Sequence, residues 1–467
     1  MSDVLVLVGP GLAADEALLG ELAEREFAAL GVRGVITHVR DAADVLSRTQ
    51  ARRGTNTPGG EGAAARENAR EPAGTGGGLE RRDAEGRVTV IIPGPEKDIR
   101  RLMGEPLGPV VWLDIWRADG IEVGEDATHI HGRGLGGLTW AIRHAVHRLR
   151  HPYRRIPYGQ HREQWADLYL PAAGAETGAA AGTTAGTETG TEAGGTDGAV
   201  GSDPLDSAVS AERAATAAAP ATAAAPATAG ARLPVVVLVH GGYWRSIWAA
   251  DLMDALCEDL VARGFAVWNL EYRRPDLHGW EAATADVATG LDALAAVDAP
   301  LDLARVAVAG HSAGGQLALR AAADGARVSL AVSLAGVLDL VEGDRRWLSS
   351  GAVAAALGTA AVHMPDIAGD VPESVRQPAG GERGVAESVY GAASPMLRLP
   401  LGVRQLIVQG SGDDLDLLDF GRRYAKAAHD AGDDVTYLEM VGDHFAVIAP
   451  DSPIWDATAQ AVADALA

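Results

Sequence analysis

Short apolar runs alternate with longer segments of helical periodicity along most of this chain. Ala266–Leu270 and Gln405–Gln409 have the length and composition of buried strands, and a further run, Gly34–His38, follows a helical segment over Asp15–Leu30. Strands that alternate with helices predict an α/β fold with a mainly parallel sheet. The alternation occurs twice, with a boundary near residue 151, so we expect two α/β domains.

Two low-complexity stretches interrupt this alternation. Residues 48–87 are rich in Arg, Gly, Glu and Ala, and residues 172–231 consist almost entirely of Ala, Gly, Thr, Glu, Pro and Ser. Neither stretch can bury enough apolar surface to offset the conformational entropy lost on ordering it. We expect each to be a disordered, solvent-exposed insertion, one in a domain of residues 1–151 and one in a domain of residues 152–467.

Both insertions fall between segments that have strand patterns. The first precedes a strand at Val88–Ile92, and the second separates Asp167–Pro171 from Pro234–Val239. A long insertion costs little free energy at the tip of a hairpin, because loop-closure entropy grows slowly with loop length. We therefore predict that Asp167–Pro171 and Pro234–Val239 are the two strands of one hairpin.

The composition of the chain indicates which binding partners and which cellular compartment to expect. The chain has 467 residues and a formal net charge of −23, which argues against nucleic acid and anionic membranes as partners. Its one cysteine, Cys257, cannot form a disulfide within the chain, so we expect a reducing cytoplasm. We expect no signal peptide and no membrane span, since no apolar run approaches the roughly 20 residues that a span needs.

The segment most informative about chemistry is Gly310–Gly315, with the sequence Gly-His-Ser-Ala-Gly-Gly. It follows an apolar run, Val306–Ala309, and precedes a helical pattern that begins at Gln316. A serine with a glycine two positions to either side, on a strand–turn–helix, is the nucleophile elbow of α/β-hydrolases. The glycines are needed because the serine backbone is strained and the strand and helix pass too close for a Cβ. We therefore predict that Ser312 is an activated nucleophile.

A nucleophilic serine needs a base and an acid that orients the base, and in this fold the chain order is Ser, acid, His. A loop with three aspartates follows the strand that ends at Gln409. Asp413 is favoured over Asp414 and Asp416 by its Gly-x-x-Asp spacing from the glycine that begins the loop. His444 follows a later strand and precedes the last helix, where the base belongs. Three other histidines lie in a helical run or in loops without a preceding strand: His429, His278 and His363.

The oxyanion hole should combine the amide of the residue after the serine, Ala313, with an amide from the loop after an earlier strand. That loop reads His-Gly-Gly-Tyr-Trp over residues 240–244. Its glycines let the backbone turn N–H groups toward a substrate carbonyl, so Gly241 and Gly242 are both candidate donors.

Four neighbours of these donors have supporting or alternative roles. We expect His240 and His311 to position the two loops rather than to take part in catalysis. Tyr243 and Trp244 either line the acyl pocket or pack beneath the loop.

These motifs together resemble α/β-hydrolases of the kynurenine formamidase and carboxylesterase group, over most of residues 155–467. The resemblance rests on four segments: His240–Trp244, Asn269–Arg274, Gly310–Gly315 and Gly442–Phe445. It implies a triad of Ser312, Asp413 and His444 and the hydrolysis of carboxyl esters or aryl formamides, and it does not fix the substrate. Gln409 is a departure, because relatives often have histidine at this position, which is not catalytic.

The first domain resembles type II 3-dehydroquinate dehydratase in three glycine-bearing segments: Val4–Leu12, Val90–Pro95 and Gly132–Gly137. This resemblance implies a flavodoxin-like fold and assembly into a homo-oligomer. The groups that carry that family's chemistry are missing, because Val8 and Ile92 stand in place of asparagines and Asp114 in place of the catalytic histidine. The lid loop with the catalytic tyrosine has no counterpart. Proton abstraction needs such polar groups, so we interpret this domain as non-catalytic.

Gly132–Gly137 also satisfies the Gly-x-Gly-x-x-Gly pattern of dinucleotide sites. Such a site needs a second strand and an acidic residue about 20 residues later, and a linker, His151–Arg155, follows instead. We therefore expect no cofactor and no metal.

The sequence as a whole predicts a cytoplasmic serine hydrolase that acts on a small carboxylic ester, with an aryl formamide as the alternative substrate. Two further hypotheses concern the first domain. It is either a scaffold that assembles the hydrolase into an oligomer, or a live dehydratase in a bifunctional protein.

Overall fold

Two β-sheets organise the chain in a computed structural model, which describes residues 3–50, 87–172, 232–361 and 382–467. The two expected insertions lie mostly outside the described residues. The ends of the first one differ from the expectation, because residues 48–50 close a helix and Arg87 begins a strand. None of the described helices combines the length and apolar character needed to cross a membrane.

The first sheet contains β1 (Asp3–Val8), β2 (Arg33–His38), β3 (Arg87–Ile92), β4 (Val110–Asp114) and β5 (Thr128–His131). All are parallel, in the order β2-β1-β3-β4-β5, which is the order of flavodoxin-like sheets. Alternate residues of β1 enter different cores, Val6 on one face and Leu7 on the other. Burial on both faces explains why β1 is a continuous apolar run. Four helices cover this sheet: α1 (Glu16–Ala29), α2 (Ala42–Gln50), α3 (Lys97–Arg101) and α4 (Gly137–Arg150).

The second sheet has eight strands: β6 (Arg154–Pro157), β7 (Trp165–Tyr169), β8 (Leu233–Val239), β9 (Ala266–Leu270), β10 (Leu301–His311), β11 (Leu330–Leu334), β12 (Arg404–Gly410) and β13 (Val435–Met440). Their order is β6-β7-β9-β8-β10-β11-β12-β13. β7 is antiparallel to both of its neighbours, and β8 to β13 run parallel to one another. Helices pack on both faces, as a parallel sheet requires.

We call the first sheet with α1–α4 the first unit, and the second sheet with its helices the second unit. The helices of the second unit are α5 (Asp254–Ala262), α6 (Pro275–His278), α7 (Trp280–Asp292), α8 (Ala313–Ala323), α9 (Leu340–Arg345), α10 (Ala352–Leu357), α11 (Glu382–Ala393), α12 (Leu415–Asp430) and α13 (Pro453–Leu466). The described residues therefore have the expected mixed α/β architecture with mainly parallel sheets. The expected division into domains of residues 1–151 and 152–467 remains a prediction.

The hairpin prediction is wrong. β7 pairs with β6 and β9, while β8 pairs with β9 and β10, so β9 lies between the two strands that were expected to be neighbours. The sequence pattern identifies both segments as strands. It does not show that a strand from later in the chain, β9, will pair with each of them.

The carboxyl ends of the central strands meet at one edge of the second sheet. Gly310 of β10 pairs with Val239 of β8, and Gly410 of β12 pairs with Met440 of β13. Loops that follow parallel strands gather at this edge, which is where open α/β sheets bind ligands.

Candidate active site

Ser312 lies on a sharp turn between β10 and α8. Its φ is 54° and its ψ is −119°, a conformation that non-glycine residues rarely adopt and that clusters at functional sites. A Cβ on Gly310 would lie 2.0 Å from Gly314 O, and a Cβ on Gly314 would lie 2.1 Å from Val239 O. Both glycines are therefore required by close backbone contacts, as expected for a nucleophile elbow. The serine itself is 2% exposed.

The candidate acid and base are in direct contact. Asp413, in the loop after β12, places its Oδ2 2.9 Å from Nδ1 of His444, in the loop after β13. The Asp413 side chain is 2% exposed and that of His444 is 21% exposed, so the carboxylate is shielded while the imidazole reaches the surface of the site. A Cβ on Gly410 would lie 2.4 Å from Gly442 O, which shows how closely the two loops pack.

The competing aspartates have other partners. Asp414 accepts a hydrogen bond from the amide of Asp416 at 2.8 Å and caps α12. Asp416 pairs with Arg346 at 2.9 Å. Of the other histidines, His429 lies in the last turn of α12 and His278 pairs with Glu163, whereas His363 lies outside the described residues.

His444 lies beside the elbow through its contact with His311. The two imidazole centroids are 4.7 Å apart, and His311 Nε2 lies 3.0 Å from the carbonyl oxygen of His444. Burial lowers the pKa of His311 well below its ordinary value, so a neutral imidazole donates this hydrogen bond. Within the described residues Ser312 Oγ and His444 Nε2 are not hydrogen-bonded. Such contacts in free enzymes commonly tighten only when substrate binds.

The loop after β8, residues 240–248 (hereafter the oxyanion loop), passes directly over the elbow. A Cβ on Gly241 would lie 3.0 Å from Ser312 Cβ and 2.6 Å from the carbonyl oxygen of His311. Within the part of the chain that the structure describes, the amides of Gly241, Gly242 and Ala313 donate no hydrogen bond. The structure thus brings the three predicted donors and the serine together, with amide protons available for a ligand.

His240 fixes the orientation of the peptide that joins the two glycines. Its Nδ1 lies 2.9 Å from Gly241 O. The peptide unit is planar and trans, so the amide of Gly242 points away from His240. The other ring nitrogen, Nε2, lies 3.1 Å from Oε1 of Glu271, which also pairs with Arg274.

Glu271, within the segment Asn269–Arg274, supports the site, although the sequence alone assigns it no role. It is buried, and burial alone would raise its pKa, but the charges of Arg274 and His240 and its hydrogen bonds outweigh this effect and hold the pKa at about 2. A charged residue that directly follows an apolar strand is the sequence signal that could have identified it.

The two aromatic candidates for the acyl pocket differ in position. Trp244 is 1% exposed, donates a hydrogen bond to Gln316 Oε1 at 3.1 Å and packs against Trp280. This environment favours packing beneath the loop over contact with substrate. Tyr243 is half-buried, and its pKa rises to about 12 because of burial and the nearby charges of Asp414 and Asp413. Tyr243 is therefore close enough to the acid of the candidate triad to be influenced by its charge.

Asp114 of the first sheet is bound in a structural network. Arg100 contacts both of its carboxylate oxygens, at 2.7 and 2.8 Å, and His129 Nε2 lies 3.0 Å from Oδ2. Burial raises the pKa of Asp114, but the hydrogen bonds and charges of His129 and Arg100 lower it more, to about 2. Val8 and Ile92, at the ends of their strands, are buried and apolar.

The glycine-rich segment Gly132–Gly137 is occupied by the protein itself. A Cβ on Gly132 would lie 2.5 Å from Ile247 Cγ2, and Arg133 forms a bidentate pair with Asp251. A bound pyrophosphate would compete with these contacts. The structure therefore gives no support to a dinucleotide site at Gly132–Gly137.

Two groups in the described residues have metal-ligand composition: His147, His151 and Glu258, and separately His161, Glu163 and His278. Each contains an ion pair already, His151 with Glu258 at 3.1 Å and His278 with Glu163 at 3.2 Å. Neither group includes a residue of the candidate triad.

One family model matches a part of this chain. The sequence model of the BD-FAE family matches residues 223–343, which contain the oxyanion loop and Ser312 but neither Asp413 nor His444. No curated protein matches the chain significantly.

Several solved esterase structures are similar to part of the chain. The hyperthermophilic esterase from the archaeon Pyrobaculum calidifontis is 21% identical over 51% of this chain and 78% of its own, with a TM-score of 0.38. A bacterial heroin esterase is 23% identical over 52% of this chain and 78% of its own, with a TM-score of 0.40. Esterase B from Lactobacillus rhamnosis is 15% identical over 67% of this chain and 86% of its own, with a TM-score of 0.44.

Proposed function

We propose that this protein is a serine hydrolase that cleaves a small carboxylic ester at the carboxyl edge of the second sheet. Ser312 Oγ attacks the ester carbonyl while His444 Nε2 takes its proton. The same imidazole then gives the proton to the departing alkoxide, which leaves an acyl group on Ser312. Water deprotonated by His444 attacks this acyl group and releases the carboxylic acid.

Asp413 and the backbone amides support both steps. Asp413 accepts a hydrogen bond from His444 Nδ1, which keeps Nε2 free to act as the base and stabilises the imidazolium that forms. The oxyanion receives hydrogen bonds from Ala313 and from Gly241 or Gly242. Donors fixed in advance at the position of developing charge provide a large share of catalysis in such sites.

The contact between His444 and Asp413, at 2.9 Å, is the observation that carries this proposal. The two residues belong to loops after different strands, and the base of the pair lies against the residue that precedes the strained serine. Isolated histidine–aspartate pairs are common. One whose imidazole packs against the residue before a serine with φ of 54° has the components of an acyl-transfer site.

Pre-steady-state hydrolysis of 4-nitrophenyl acetate tests the covalent mechanism. We expect a burst of nitrophenol close to one equivalent per chain, followed by slower turnover limited by hydrolysis of the acyl-enzyme. A linear release without a burst, at substrate concentrations that saturate the enzyme, would count against an accumulating acyl-enzyme.

The substrate class is tested by profiling esters of increasing acyl length beside N-formylkynurenine. We expect short-chain esters to have a higher kcat/KM than the formamide, because resonance with nitrogen makes an amide carbonyl less electrophilic than an ester carbonyl. A kcat/KM for the formamide that exceeds those of all esters would favour the arylformamidase alternative.

The dehydratase hypothesis has little support, because Asp114 is held by Arg100 and His129 and the neighbouring strand ends are apolar. We propose that the first sheet performs no dehydration. Incubation with 3-dehydroquinate should produce no enone absorbance, and its appearance would establish a second activity.

A further inference from the structure

Arg133, in the loop between β5 and α4 of the first sheet, contacts the loop that supplies the oxyanion donors. Its Nε donates a hydrogen bond to the carbonyl oxygen of Ile247 at 2.7 Å. Its Nη1 and Nη2 bind the two carboxylate oxygens of Asp251 at 2.5 and 2.9 Å, and both side chains are 3% exposed. A buried bidentate pair of this kind fixes direction as well as distance.

Trp248 connects Arg133 to the backbone of Gly242. The guanidinium of Arg133 lies over the indole of Trp248, 4.4 Å from the ring centroid. Trp248 in turn packs against Gly242, where a Cβ would lie 2.3 Å from Trp248 Cβ. The backbone of Gly242 is therefore packed against Trp248, which is packed in turn against Arg133.

Trp140, on α4, contacts both loops of the candidate site. Its indole packs edge-on against Trp248 with a centroid distance of 5.7 Å and lies 6.3 Å from the ring of Phe445. Phe445 directly follows His444 and packs edge-on against its imidazole at 5.5 Å. One side chain of the first unit thus touches the supports of the oxyanion donor and of the base.

A third attachment fixes the middle of the oxyanion loop. Ser246 Oγ donates a hydrogen bond to Oδ1 of Asp119 at 2.6 Å, and Arg117 pairs with Asp276 at 2.6 Å. Asp276 accepts a hydrogen bond from the amide of Ser246 at 3.0 Å. Contacts from the first unit therefore reach the loop at residues 246, 247 and 248.

We propose that Arg133 and Trp140 are positioning residues for the hydrolytic site, an inference that rests on the proposed function. The glycine-rich loop of the first unit, which resembles a ligand-binding motif in sequence, holds the oxyanion loop instead of a ligand. Oxyanion donors and the base must be held close to their productive geometry. The backbone of the oxyanion loop is strained, with φ of 51° at Tyr243 and 57° at Trp244, and the contacts of Arg133 and Trp140 add to those that restrain it. The first unit thereby becomes part of the catalytic apparatus without touching substrate.

The test uses full-length Arg133→Ala and Trp140→Ala, with steady-state hydrolysis of 4-nitrophenyl acetate normalised to the sites titrated in the burst. We expect kcat to fall at least about ten-fold in each, since complete loss of one oxyanion donor lowers kcat by roughly 10²–10³-fold. KM should change less than two-fold, because neither side chain contacts substrate. Trp140→Phe should restore most of the rate, whereas Arg133→Lys should not, because lysine lacks the bidentate fork.

Two control variants separate positioning from stability. Trp116 is 72% exposed in the same unit, and Trp116→Ala should leave kcat unchanged. Ile99 is fully buried in the core of the first sheet, so Ile99→Ala should lower the melting temperature and still leave kcat unchanged where the protein is folded.

The inference would be overturned by wild-type kcat in both alanine variants, or by an equal loss of kcat in folded Ile99→Ala. These outcomes differ from failure of the proposed function. A wild-type protein with neither burst nor turnover would refute that function and the inference together, whereas an active wild type with unaffected variants refutes the inference alone.

Discussion

Gln409 Nε2 donates a hydrogen bond of 2.7 Å to Oδ2 of Asp413, the same oxygen that faces Nδ1 of His444. Gln409 is 1% exposed, at the end of β12. Together with the amide of Asp414, which binds the other oxygen at 2.7 Å, it fixes the plane of the carboxylate. Gln409 thus restrains the side chain of the candidate acid, at a position to which the resemblance to known hydrolases assigns no catalytic role.

Replacement of Gln409 by methionine should lower kcat about ten-fold with little change in KM. A hydrogen bond to a charged group contributes roughly 1.5–3 kcal/mol, and only part of this is specific to the transition state. Gln405→Met is the matched control, because Gln405 is buried on the same strand and binds Asp433 at 2.9 Å, away from the candidate triad. Equal kcat in the two variants would show that Gln409 has no particular effect on the site.

Asp413→Asn should lower kcat by roughly 10³–10⁴-fold, because an amide in place of the carboxylate favours the wrong imidazole tautomer. Asp414→Asn should have nearly normal kcat, since asparagine also caps helices well. Steady-state kinetics of both variants decides between the neighbouring aspartates. A larger loss in Asp414→Asn than in Asp413→Asn would reverse the assignment of the acid.

Gly314→Ala should destabilise the fold by about 3 kcal/mol or more, because its Cβ would lie 2.1 Å from Val239 O and 2.5 Å from His240 O. Neither backbone carbonyl can move without displacing β8 or the oxyanion loop. In contrast, Gly391→Ala in α11 meets no atom within 4 Å and should be neutral or stabilising by about 0.5–1 kcal/mol. Urea unfolding compares the two, and similar stability of the variants would contradict the close packing of the elbow.

The contact between α4 and α5 should make stability depend on pH through Asp254. This buried carboxylate lies 2.6 Å from His144 Nδ1 and 3.9 Å from His147 Nε2. Burial is the main cause that raises its pKa to about 7, His147 opposes the shift, and Asp251 and Asp167 add to it. A folded-state pKa above the unfolded value favours the folded state at low pH, and this contribution is lost as the pH rises from about 4 to about 7.

Asp254→Asn removes the ionisable group, and with it the loss of stability on raising the pH, while it keeps the shape of the side chain. The free energy of unfolding of the variant, relative to wild type, should therefore increase between pH 4 and pH 7, by about 1.4 kcal/mol for each unit of pKa difference. Burial lowers the pKa values of the neighbouring His144 and His147 to about 3 and about 4, so both stay neutral in the two folded proteins above about pH 5 and cancel in the comparison over that range. Asp298→Asn, at an exposed position, is the control. Parallel stability curves for Asp254→Asn and wild type would contradict the raised pKa.

The local parts of the site could be predicted from the sequence. The elbow at Ser312 and the glycines of the oxyanion loop depend on a few consecutive residues, whose backbone requirements leave a direct trace in the choice of glycine. Asp413 and His444 could be proposed because each follows a strand, and parallel strands bring their carboxyl ends together.

The remaining parts depend on contacts between distant segments. Arg133 contacts Asp251 across 118 residues, and no local pattern marks either residue as a partner of the other. The hairpin prediction failed for the same reason, because β9 enters between β7 and β8 from later in the chain. Gln409 offered a weak signal, a polar side chain in an apolar strand, but its partner is identified only when the loop after β12 is seen to fold back.

The most direct test of the central claim is labelling by a fluorophosphonate, followed by peptide mass spectrometry, in wild type and Ser312→Ala. We expect one label per wild-type chain, located on Ser312, with loss of 4-nitrophenyl acetate hydrolysis in proportion to labelling. The Ser312→Ala protein should fold normally, take up no label and lose at least about 10³-fold in kcat. Labelling at another residue, or hydrolysis by Ser312→Ala at the wild-type rate, would contradict the assignment of Ser312 as the nucleophile.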